Sequence, residues 1–158
     1  MTTTLPRRTT NPHDRAPMVL DTTVDGRSVT LPGLPEQATE VRSRLAVLTA
    51  ALPVGLRDSI QLLASELFNN AIRHTASGLP GGEVTVTLVM LPDRVQVRVI
   101  DDGQPEGELR FPVPRPPDVD SEGGFGLFFV HTTATQWGTA WHADGRTSVW
   151  FELSRSRR

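Results

Sequence analysis

The sequence has no cysteine and no lysine, almost no net charge and no long apolar run. Without cysteine there are no disulfides and no Cys-ligated zinc, and a reducing compartment is compatible. All sixteen basic residues are arginine. That excludes the P-loop lysine, the strand lysine of protein kinases and any Schiff-base mechanism. A formal charge of −2 gives no electrostatic reason to expect nucleic acid or a membrane surface as the main partner. No apolar stretch approaches the ~20 residues of a membrane span, and residues 1–8 lack the apolar core of a secretory signal. The expectation is a soluble, cytoplasmic protein. His13, His74, His131 and His142 show no metal-ligand spacing. The chain has 158 residues, 37% of them apolar, which suits one domain with a core and some tail.

Residues 1–16 are rich in Thr, Pro and Arg without periodicity and read as a disordered tail before a domain at 17–154. Two short β-like runs, 18–20 and 28–31, flank the turn signal Asp25-Gly26. A helix is expected from Glu36, with Val41, Leu45, Leu48 and Leu52 at helical spacing, until Pro53 and Gly55. A second runs from about 56 to 75, stopped by Gly78 and the Pro80-Gly81-Gly82 break. Alternating runs at 83–91 and 94–100, joined by Pro92-Asp93, predict a hairpin. Residues 104–122 carry almost no pattern, and so long a stretch in a compact domain is a functional loop or disordered. A helix is predicted over 127–136, although its threonines lower the propensity. Strands near 138–143 and 147–153 then meet at Asp144-Gly145, and residues 155–158 should fray. The natural packing is α+β: a two-layer sandwich of a mixed, mostly antiparallel sheet with three helices on one face.

Four groups of residues could carry chemistry. On the second helix Glu66, Asn70 and Arg73 fall within roughly 60° of one another, opposite Ile60, Leu63, Leu67 and Ala71. A carboxylate, an amide oxygen and a guanidinium in one row suit a metal-bound phosphate, although a solvated polar face gives the same pattern. Two adjacent asparagines inside a helix, Asn69 and Asn70, weigh against that plain reading, because their side chains compete for backbone hydrogen bonds. Asp101-Asp102-Gly103 ends a strand without a partner strand following, so a simple turn explains it poorly. A carboxylate there can accept from an exocyclic amine, and the glycine permits close approach of a flat ring. Gly123, Gly124 and Gly126 precede a helix, where exposed backbone N–H groups and the helix N-terminus favour an anion; a plain cap or hinge reads the same way. Thr147 opens the last strand and can offer its hydroxyl.

In this order and at these spacings the four groups resemble the GHKL ATPase superfamily, and most of all its small bacterial anti-sigma-factor serine kinases. Glu66-x-x-x-Asn70 with Arg73-His74 resembles the N-box. Val99-x-Asp101-x-Gly103 is similar to the G1 box and Gly124-x-Gly126-Leu127 to the G2 box. Thr147-x-Val149-x-Phe151 resembles the last strand. The likeness spans about residues 34–153.

It implies a Bergerat-type ATP-binding fold and a serine/threonine-protein kinase using ATP and Mg²⁺. Asn70 then holds the metal, Glu66 is the general base and Arg73 contacts phosphate. Asp101 accepts from the adenine amino group with Gly103 and Thr147 beside it, and Gly124, Gly126 and Leu127 present N–H groups to phosphates. Residues 104–122 become the ATP lid. The implied partners are a sigma factor, which the protein sequesters, and an anti-sigma-factor antagonist phosphorylated on serine; relatives are often homodimers, and no stretch here decides the oligomeric state. One departure is Pro105, where the G1 box usually has a second glycine; it fixes φ and removes an N–H. It favours the alternative of a non-catalytic, nucleotide-gated binding module. A histidine-kinase catalytic domain would need a preceding helical hairpin with a phosphoacceptor histidine, and His13 lies in the tail.

Overall fold

Alternation and helical periodicity produce the elements they predict. The computed structural model describes residues 26–104 and 126–155. Strand β1 (Gly26–Pro32) leads through a 3-10 turn (Pro35–Gln37) into α1 (Ala38–Leu48) and α2 (Val54–His74). A second 3-10 turn (Ala76–Gly78) precedes β2 (Glu83–Met90) and β3 (Arg94–Asp101). Helix α3 (Gly126–Thr133), β4 (Gln136–Trp141) and β5 (Thr147–Ser154) complete the order. The run at 18–20 and most of the 104–122 loop lie outside the described residues.

The strands form one sheet in the order β1-β2-β3-β5-β4. Every pair is antiparallel, so among the described residues the sheet has no parallel member. Period-two alternation sorts its side chains into rows. Leu88, Val97, Phe151 and Trp137 form one cross-strand row, and Val29, Val86, Val99 and Val149 the next. These rows face the helices. Ile60, Leu63, Leu67 and Phe68 of α2 are buried against them, and Val41 and Leu45 of α1 belong to the same core. Each such burial contributes about 1.5–3 kcal/mol.

The helix ends differ from expectation for identifiable reasons. Pro35 fits the first turn of a helix, and the chain there tightens into a 3-10 turn, so α1 proper starts at Ala38. Helix α3 stops at Thr133, three residues before the expected end. Its β-branched Thr132 and Thr133 disfavour continuation, and Thr135 N–H donates to Glu152 O at 2.8 Å, starting the sheet edge early. The β4–β5 turn closes at His142–Gly145, where Gly145 takes φ +93. At the chain end Arg155 N–H donates to Asp93 O, and its Nη1 to Leu91 O.

Candidate functional site

Helix α2 presents its polar row where the sequence placed it. Ile60, Leu63, Leu67 and Ala71 face the core, joined by Ala64, Ser65 and Phe68, so the buried arc is wider than four residues. Glu66, Asn69 and Asn70 are half-buried at its border, while Arg73 and His74 are exposed in the last turn. Cations at a helix C-terminus interact favourably with its dipole. The helix ends at Thr75, whose hydroxyl and backbone N–H both donate to Ala71 O, at 2.6 and 3.1 Å.

Asp101, Gly103 and Thr147, distant in sequence, come together. Asp101 is the last residue of β3 and Thr147 the first of β5, and they are register partners. Thr147 Oγ1 donates to Asp101 Oδ1 at 2.5 Å, and Gly103 N–H donates to the same oxygen at 2.7 Å. Asp101 is only 5% exposed. Burial pushes its carboxyl above the ordinary carboxylate range, against the lowering effect of the Thr147 and Gly103 donors. Gly103 has φ +85, and a Cβ on it would meet Gly145 O at 2.1 Å. The close approach this glycine permits is therefore to the β4–β5 turn.

A polar junction that sequence reasoning did not foresee ties these two parts. Ser77, fully buried just past α2, donates through Oγ to Glu83 O at 2.7 Å and accepts from Asp102 N–H at 2.8 Å. Asp102 Oδ2 in turn accepts from Glu83 N–H at 2.8 Å. Ala76 N–H donates to Gly103 O at 2.7 Å, and Thr75 Oγ1 accepts from Ser77 N–H at 3.0 Å. The end of α2, the start of β2 and the Asp101–Gly103 corner are thus one hydrogen-bonded unit. A Thr-x-Ser pattern directly after a helix was the available signal, because such hydroxyls bond nearby backbone.

Of the glycine-rich stretch, Gly126 is the first residue of α3 and Leu127 is buried against the core; Gly124 lies outside the described residues. Helix α3 packs on α2, and His131 on it accepts at Nδ1 from Trp137 Nε1–H at 3.1 Å. Among the described residues no three His, Cys, Asp or Glu side chains cluster to hold a metal ion. Nor is any described helix long and apolar enough to cross a membrane.

Residues 31–152 match the family model of the histidine kinase-like ATPase domain. The chain is 31% identical over 117 residues to Serine-protein kinase RsbW of Listeria monocytogenes serovar 1/2a, covering 68% of this chain and 74% of that protein. It is 30% identical over 122 residues to Serine-protein kinase RsbW of Bacillus velezensis, covering 72% and 76%. The match includes the α2 row, the β3 corner, α3 and most of β5. The chain belongs to the histidine kinase-like ATPase domain family.

Proposed function

We propose that this protein is an ATP-dependent serine/threonine-protein kinase acting as an anti-sigma factor: it phosphorylates a serine of an antagonist protein and sequesters a sigma factor. The observation that carries the reading is the Asp101–Thr147–Gly103 corner, hydrogen-bonded to the end of the helix that bears Glu66, Asn70 and Arg73. The serine-kinase names of the relatives supply the reaction class.

The residues suit ATP. With Oδ1 of Asp101 engaged by Thr147 and Gly103, the second carboxylate oxygen is the acceptor for an exocyclic amine. A buried carboxylate held by the Thr147 hydroxyl and by backbone N–H donors of Gly103 and Thr147 keeps its position without a counter-ion, and its remaining acceptor capacity suits the N–H₂ edge of a purine. Asn70 supplies a hard oxygen for Mg²⁺, and Arg73 supplies positive charge for phosphate at the helix end. The backbone at Gly124, Gly126 and Leu127 completes the phosphate cradle through N–H donors, replacing a lysine that this chain lacks.

ATP, when bound with Mg²⁺, supplies the γ-phosphoryl group in an electrophilic form. Glu66 holds the proton that leaves the attacking serine hydroxyl. Asn70 and Arg73 orient and screen charge, and the Asp101 corner fixes which nucleotide enters.

The test is transfer of label from Mg-[γ-³²P]ATP to the antagonist recovered by co-purification from the native cell. Transfer is expected with the wild type. Glu66→Ala should lose about 10²-fold or more in rate while still binding nucleotide, whereas Asn70→Ala should weaken Mg-ATP binding itself. Tight ATP binding with no transfer by the wild type would instead support the non-catalytic module. Full transfer by both variants would overturn the site assignment.

A further inference from the structure

The Asp101 corner grips a base by its edge, because a carboxylate oxygen accepts from an exocyclic amine in the plane of the ring. A purine also has two flat faces, and these associate favourably with aromatic side chains. Asp101, Gly103 and Thr147 offer no aromatic surface, so the faces of the base need another residue.

Strand β4 carries one at the right place. Trp141 is the last residue of β4 and the register partner of Thr147, which is itself the partner of Asp101. Cross-strand partners share a face, so Asp101, Thr147 and Trp141 form a single row across β3, β5 and β4. Four positions inward on the same three strands stand Val97, Phe151 and Trp137, all members of the helix-side core. Period-two alternation therefore puts the Asp101 row on that same face, at the end of the sheet. The two tryptophans of β4 differ sharply in environment. Trp137 is 0% exposed, whereas Trp141 is 45% exposed. Trp141 is also the one aromatic among the exposed large apolar residues described. Its backbone is held beside Thr147 by the β4–β5 turn, where His142 N–H donates to Arg146 O at 2.8 Å.

We propose that Trp141 is the stacking wall of the nucleotide site: its indole lies against a face of the base whose edge Asp101 binds. This rests on the placement of adenine at Asp101 proposed above. Two strand spacings, about 10 Å, separate the Asp101 and Trp141 backbones. A bicyclic base bonded to Asp101 bridges much of that distance, and the indole covers the remainder from the other side of Thr147. Ring centroids then fall within the ~4.5–7 Å that aromatic pairs favour. Stacking is tolerant of base identity, since every base has a π-face. Trp141 accordingly adds affinity, while the Asp101 acceptor selects the base.

Calorimetric titration of the full chain with Mg-ATP, read beside its tryptophan fluorescence, tests this. Trp141→Ala should bind about fivefold or more weakly than wild type. Trp141→Phe keeps an aromatic face and should recover most of that loss. Wild-type fluorescence should change as nucleotide saturates the site. In Trp141→Phe, which retains Trp137 and Trp150, the change should disappear although nucleotide still binds. Equal affinity of wild type and Trp141→Ala overturns the stacking role and leaves adenine at Asp101 standing. So does a fluorescence change that persists in Trp141→Phe, or a phenylalanine variant no tighter than the alanine one. Absence of binding by the wild type overturns the Asp101 placement, and the stacking with it.

Discussion

At Asp101, site chemistry and stability pull in opposite directions. Burial raises its carboxyl above the ordinary 3.8, so the folded protein holds that proton more tightly than the unfolded chain does. This group's contribution is most favourable below that ordinary value and declines as pH rises through the raised one. Asp101→Asn keeps an oxygen for Thr147 and Gly103 and removes the buried charge. Melts between about pH 4 and pH 7 should therefore lose this downward component, leaving the variant at least as stable as wild type near neutrality. A variant clearly less stable than wild type at pH 7 would show that the charge is held favourably. Gly103 carries a different constraint. Its φ of +85 and the 2.1 Å approach of Gly145 O leave no room for a methyl group. Gly103→Ala should cost about 1–3 kcal/mol or more in denaturant unfolding, whereas Gly81→Ala, with open space around it, should lose only what its φ of +83 imposes.

At the scale of elements, what the sequence disclosed depended on period and on punctuation. Helix α2 was legible because its apolar positions recur at helical spacing, and β2, β3 and β5 because their apolar residues, such as Val95, Val97 and Val99, recur at two. The Asp101–Thr147 pairing was legible only through resemblance, since nothing local to either residue announces a partner forty-six positions away. The end of α3 and the start of β4 were not, because Thr132, Thr133 and Thr135 suit a strand as well as a weak helix and the sheet edge decides between them. Ser77 escaped because its partners Glu83 and Asp102 belong to two other elements. Its junction joins the α2 row to the β3 corner, and Ser77→Ala leaves Asp102 N–H and Glu83 O without it. Unfolding stability should fall by about 1–3 kcal/mol. Because the corner loosens relative to α2, nucleotide affinity should fall too. A variant with wild-type affinity but reduced stability would confine Ser77 to a structural role.

At the scale of the whole molecule, one antiparallel sheet serves two surfaces. The helix-side rows carry the core, and the end of that face holds Asp101 and Thr147. The other face hides Gln96, Arg98 and Trp150, which no alternation rule anticipates, because polar residues at every second position of a strand normally mark the wet side. Burial lowers the Arg98 guanidinium to about 10, a cost that a sheet open to water would not impose. Family membership accounts for the first face and is silent on the second.

The nucleotide site is tested most directly by calorimetric titration of the purified full chain with Mg-ATP, wild type beside Asp101→Asn. The wild type should bind one nucleotide per chain, and Asp101→Asn should bind at least about tenfold more weakly, because an amide N–H₂ then confronts the adenine amine where an acceptor is required. Absence of binding by the wild type, or equal affinity in the two proteins, would contradict the placement of adenine at Asp101.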